Sequence, residues 1–189
     1  MGKATEALER EHQIIQKTVA VMARVVDQLE LNHSSIEPDL LQEILRFMRV
    51  FGDQCHHGKE EAYLFPLLEK RGVPATGCPL GALKGEHVKG RQLVGELESA
   101  TSAYSANREN ARLALIQSLQ NLIALYPAHI WKEDYLLFPM ATKVLSDDDD
   151  KLLMQQFAIV DSGLSPNVIE TYEALAEELT QRVGGFPNV

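Results

Sequence analysis

The chain has 189 residues, 45% of them apolar and 24% charged, the size and make-up of one soluble globular domain with a sizeable core. A net charge of -9 and the lack of any Lys/Arg run exclude a grip on a phosphate backbone, so no nucleic-acid partner is expected. Met1 to Glu6 lead straight into a charged amphipathic pattern without the apolar stretch of a signal peptide or bilayer span, so no membrane partner and a cytoplasmic location are expected.

From about Ala4 to Leu31, the residues Leu8, Ile15, Val19, Met22, Val26 and Leu29 recur at helical steps, and His12 falls on the same stripe. Asn32 to Pro38 reads as a loop, with His33 a solvated histidine in it. A second helix follows, with Leu41, Leu45, Met48, Gly52, His56, Glu60, Leu64 and Leu67 along one face and an end near Gly72. Gly72, Pro74, Gly77 and Pro79 mark a connection to a third helix, about Leu80 to Tyr104, where His87 replaces a core apolar residue between Leu83 and Val94.

The fourth helix, about Asn110 to Leu145, carries Leu115, Leu119, Leu122, Tyr126, His129, Glu133 and Leu137, with Pro127 and Pro139 expected to kink or shorten it. Tyr126 is either a core tyrosine or part of a pocket lining. Ser146 followed by Asp147 to Asp150 reads as a helix cap, Asp161 to Pro166 as a loop, and Asn167 to Val183 as a last helix before Gly184 to Pro187 frays. The expected fold is therefore all-α. It is an antiparallel up-and-down four-helix bundle over residues 1–145, with C-terminal helices over 146–189 that pack on the bundle or in a dimer. Cys55 and Cys78 are expected to be free thiols, since such a bundle needs no disulfide framework.

An internal repeat is the strongest signal. His56-His57-Gly58-Lys59-Glu60-Glu61-Ala62-Tyr63-Leu64-Phe65-Pro66 aligns with His129-Ile130-Trp131-Lys132-Glu133-Asp134-Tyr135-Leu136-Leu137-Phe138-Pro139. Upstream, Glu11-His12 and Glu86-His87 repeat as well, so the chain is two copies of one helical hairpin. Each copy supplies a lone histidine and a His-x-x-x-Glu pair whose members, four residues apart, stack on one helix face. Two carboxylates and four imidazoles converging in a bundle core suit a pair of iron or manganese ions better than a zinc or calcium site. Buried without a cation, they would cost several kcal/mol per unpaired charge.

His57 and Glu61 also stand four apart. The repeat and the stripe favour His56 and Glu60, because position 57 of an α-helix points about 100° away. Glu11, Glu61, Glu86 and Asp134 each either orient an imidazole N–H or form a solvated or ion-paired face, the latter favoured because sequence neighbours point to different faces, and Cys55 is read as a buried, inert thiol rather than a redox one.

With these motifs, and with Cys78-Pro79-Leu80-Gly81-Ala82-Leu83-Lys84-Gly85-Glu86-His87 leading the third helix, residues about 4 to 145 resemble the hemerythrin-like, or HHE cation-binding, family. The resemblance implies that His12, His56, Glu60, His87, His129 and Glu133 bind two non-haem iron ions, with or without an oxo bridge, manganese being less favoured. The invertebrate oxygen carriers have another histidine four residues after the third-helix ligand; here that position is Arg91. The four-histidine, two-glutamate set is similar to that of bacterial iron–sulfur repair and nitrosative-stress proteins, which typically carry an extra cysteine-containing N-terminal domain, whereas helix one begins at once here.

The implied function is reaction with O2, NO or hydrogen peroxide in stress defence or iron–sulfur repair, as a di-iron oxidoreductase served by an unidentified electron donor. The alternative is a non-catalytic carrier, store or sensor of O2, NO or iron. Monomer and homodimer are both compatible with the pattern.

Overall fold

The structure, a computed structural model, describes residues 2–31 and 36–184. His33 and Gly185 to Pro187 lie outside the described residues. The first rod of the bundle is α1 (Lys3–Glu30), which turns Leu8, His12, Ile15, Val19, Met22, Val26 and Leu29 inward. The second is built from α2 (Pro38–Phe47), π-helical stretches at Met48–His57 and Glu60–Leu64, and α3 (Phe65–Lys70). Gly72, at φ 94°, stops it: Val73 N–H donates to Leu68 O and Gly72 N–H to Glu69 O, closing the helix with a left-handed residue that glycine adopts without strain. The third rod is α4 (Leu80–Ser105). The fourth joins α5 (Ala111–Lys132), a π stretch at Glu133–Leu137, and α6 (Phe138–Val144).

The prolines do not shorten the rods. Pro127 lies inside α5, and Pro66 and Pro139 each follow a π stretch directly at the start of an α segment, so the chain runs through all three as a helix. A π turn shifts the hydrogen-bond ladder to i→i+5, which accommodates a residue that cannot donate an N–H.

Two further helices, α7 (Asp147–Leu164) and α8 (Val168–Gly184), lie against α1 and the second rod. Asp161 to Leu164, read from composition as loop, belongs to α7. The break comes at Ser165, extended at φ -167° and ψ 147° as a residue before proline prefers. Ser146 and Asp149 form a capping box at the start of α7, and Asp149 also accepts from Arg71 at 3.0 and 2.6 Å. Asp150 reaches across to α1 and accepts from the backbone N–H of Lys3 and Ala4, each at 3.0 Å, supplying the cap that Gly2 cannot. Ser146→Ala is expected to lower stability by about 1 kcal/mol, read as an earlier urea midpoint with unchanged slope.

The apolar core is split in two. One cluster holds Ile15, Met22, Phe51 and Leu119 and is sealed by Tyr172, Leu175 and Leu179 of α8. The other holds Leu8, Leu64, Phe65 and Phe138 and is sealed by Leu153 and Phe157 of α7. Between them all four rods contribute charged or titratable side chains to one buried layer. Among the described residues, no helix is long and apolar enough to cross a membrane.

Candidate metal centre

That layer contains His12, His56, Glu60, His87, His129 and Glu133, together with His57, each at most 3% exposed. Their ligating atoms form two groups that share Glu60: His12, His56, Glu60 and Glu133, and His57, Glu60, His87 and His129. Within each group the atoms lie within 4.8 Å of one another. Glu133 spans both sides, with Oε2 at 3.0 Å from His12 Nε2 and Oε1 at 3.4 Å from His129 Nε2. Glu60 Oε2 lies 3.7 Å from His56 Nε2 and 3.4 Å from His87 Nε2.

The expectation that His57 points away is corrected. A π stretch takes more residues per turn than an α-helix, so each residue advances through a smaller angle, and the two successive histidines both face inward. His57 stacks on His87 with centroids 3.9 Å apart. Position 130, its counterpart in the second copy, is isoleucine, so the repeat offered no signal for it.

The acidic neighbours are corrected as well. Glu11 accepts from His56 Nδ1 at 2.9 Å, Glu61 from His87 Nδ1 at 2.7 Å, Glu86 from His129 Nδ1 at 3.0 Å, and Asp134 from His12 Nδ1 at 2.6 Å. Each acid does point away from the ligand beside it in sequence, and that is why it meets the imidazole of the next rod. Around the bundle each rod orients its neighbour's histidine, and the fourth closes onto the first. The recurrence of an acid before each lone histidine and after each Glu60-type carboxylate was the available signal. Asp53 holds His57 Nδ1 at 3.4 Å from one turn earlier, and Arg91 clamps Asp53 and Glu61 at 2.8 and 2.9 Å. With Nδ1 donating to a carboxylate, each ring presents Nε2 to the interior, the tautomer that a metal ligand needs.

The interior atoms are orphans in hydrogen-bonding terms. Nε2 of His57, His87 and His129 and both oxygens of Glu60 and Glu133 are buried without a hydrogen-bond partner. Burial, and next the facing Glu133, push the Glu60 carboxyl well above its ordinary range; against the same burial, His129 and His12 hold Glu133 well below it. Seven side chains offering oxygen and imidazole nitrogen to a common space fit a pair of cations.

Phe138 stacks on His12 with centroids 5.6 Å apart and Phe65 on His87 at 5.4 Å, so each Leu-Phe-Pro triplet backs the lone histidine of the other copy. Tyr126 is buried, lies parallel to His57 at 6.4 Å and lines a cavity of about 340 Å³ with His57, Gly90 and Arg91. A cleft of about 450 Å³ between α1 and α5 reaches His12 and Asp134 past Trp131 and Tyr135.

Without metal these groups make stability depend on pH. Burial lowers His57 to about 3 despite Asp53, and burial and the charge of His12 lower His56 well below its ordinary value; Asp134 and Glu133 overcome burial to raise His12 to about 9. Below pH 6.5 the unfolded chain takes up the protons that folded His56 and His57 refuse, so stability falls toward pH 3. The His12 contribution is complete below pH 6.5 and is lost as pH rises through 9. Each net proton is worth about 1.4 kcal/mol per pH unit. Denaturation of metal-free protein is expected to give its highest midpoint near pH 6.5, with lower values at pH 5 and pH 9.

The sequence model of the hemerythrin HHE cation-binding domain matches residues 3–141, about three quarters of the chain. The chain belongs to the hemerythrin HHE cation-binding family. Proteins described as uncharacterized from Mycobacterium bovis and from two strains of Mycobacterium tuberculosis are each 30% identical to it over 143 residues, 76% of this chain. The match covers 55% of their length, so the chain spans about half of the curated relatives it matches. No solved structure matches the chain. The layer of histidines and glutamates is thus the part of this hemerythrin-like domain that can hold metal, while Asp161 and the rest of α7 and α8 fall outside the matched residues.

Proposed function

We propose that the chain holds two non-haem iron ions, one among His12 and His56 and one among His57, His87 and His129, with Glu60 and Glu133 spanning the pair. On this reading it acts on O2, NO or hydrogen peroxide in defence against oxidative or nitrosative stress, including repair of iron–sulfur centres. The observation that carries it is the shared Glu60 between two sets of buried, inward-facing ligand atoms, of which those of Glu60, Glu133, His57, His87 and His129 have no hydrogen-bond partner. Bound iron supplies one-electron redox chemistry that no side chain in the layer has.

The chain's own residues set the conditions for that chemistry. The Nδ1 bonds fix five imidazoles in orientation, and Phe65 and Phe138 keep water from the end of the layer that faces the second apolar cluster. The cavity beside His57 and the cleft beside His12 bring open space up to the layer. A cytoplasmic setting, where thiols stay reduced, agrees with free Cys55 and Cys78.

The test is consumption of peroxide and of NO by iron-loaded protein against the same amount of free iron. Faster consumption by the protein is expected. No turnover above free iron would remove the enzymatic role, and a stoichiometric, reversible spectral change in its place would make the protein a carrier or sensor.

A further inference from the structure

Beside the metal layer lies a second buried cluster of charges, of which the di-iron reading uses only Glu11. Lys59, 1% exposed, places Nζ 2.5 Å from Glu11 Oε1 and 2.5 Å from Asp161 Oδ1. Glu11 accepts with its other oxygen from His56 Nδ1, and the Cys55 thiol donates to Asp161 at 3.3 Å. Glu11, Cys55 and Asp161 could themselves surround a cation, but the Lys59 ammonium already stands among them. Phe157 of α7 closes over it, its ring centroid 5.9 Å from Nζ.

The duplication supplies an internal comparison. Lys132 occupies the place of Lys59 in the second copy and donates to Glu86 at 2.8 Å, and Glu86 in turn holds His129. Both halves thus contain a Lys-to-Glu-to-His chain. The second is open to water, with Lys132 24% exposed, whereas the first is covered by α7 and ends on Asp161. Burying an ammonium between two carboxylates is a poor way to gain stability, because desolvation offsets the attraction. It does fix the Glu11 carboxyl in place through a direct contact, and so holds His56 with Nε2 inward. In the low-dielectric interior that restraint is stronger than its solvated counterpart.

We propose that Lys59 and Asp161 are positioning residues for one half of the centre, so that α7 makes the two metal positions unequal: the ion on the His12 and His56 side is held fast, and the ion on the His57, His87 and His129 side is the exchangeable one. This rests on the di-iron reading. Asp161 comes from outside the residues that define the family match, so the inequality is a property of this chain's extension.

The experiment follows iron release to a chelator, with zero-field Mössbauer spectra of the loaded protein, for wild type, Asp161→Asn, Lys59→Met and Lys132→Met. Wild type is expected to release iron in a fast and a slow phase. Asp161→Asn and Lys59→Met should speed the slow phase about 10- to 100-fold, the range for lost outer partners of metal ligands, and shift one of two iron subspectra while leaving the fast phase as it was. Lys132→Met should leave the slow phase unchanged. If Lys59→Met fails to fold, Asp161→Asn alone carries the test, since it keeps the shape and changes only the charge. Wild-type phases and spectra in Asp161→Asn, or equal acceleration of both phases, would reduce α7 to a cover and overturn the proposal. Wild type that takes up no iron would instead sink the di-iron reading itself.

Discussion

Changing Glu60 and Glu133 together to alanine is expected to take the iron content from about two per chain to nearly none. Both carboxylates are fully buried and point at the Nε2 atoms of the surrounding histidines, so without them each ion would keep only neutral nitrogen donors. Metal analysis of both preparations gives the reading. Glu98→Ala, which removes only an exposed partner of Arg49, should keep both irons. Iron retained by the double variant would show that the metal is elsewhere.

Phe138→Ala should cost about 3–5 kcal/mol, the usual range for a fully buried aromatic ring truncated to a methyl group. It should also weaken iron retention, because Phe138 is stacked on His12 and lies in the apolar cluster beneath it. Phe65→Ala should behave alike through His87. The two effects separate by measurement on metal-free and iron-loaded protein: the loss of core packing appears in both, and the disturbance of the histidine only in the loaded form. A change below about 0.5 kcal/mol in the metal-free form would mean that the cavity closes by local collapse.

Much of this architecture is legible in the amino-acid order. The stripe through Leu8, His12, Ile15 and Val19 marks a buried helix face, and the duplication marks Glu60 and Glu133 as equivalent positions. What was not legible depends on departures from ideal helix geometry or on contacts between rods. His57 faces the centre only because Met48–His57 winds as a π-helix, which no local composition announces. The partners of the imidazoles were hidden because the rule that sequence neighbours face differently, true of each helix alone, leaves out the next helix. Asp161 read as loop because Ser162, Gly163 and Pro166 lie close by, yet its carboxylate is anchored by Lys59 and Cys55 from the second rod.

The split core bears on how the molecule holds together before it meets metal. The two apolar clusters can each condense by themselves, one under α8 and one under α7, but the slab between them contains carboxylates and imidazoles most of whose inner atoms have no hydrogen-bond partner. The weakest cross-section of the metal-free bundle is therefore its waist. Amides around His56 and His129 should exchange with solvent faster than those around Leu41 or Leu115, the reverse of the usual order in which helix centres outlast their ends. A cation pair would act there as a clasp, joining two half-cores that the apolar residues alone leave loosely coupled.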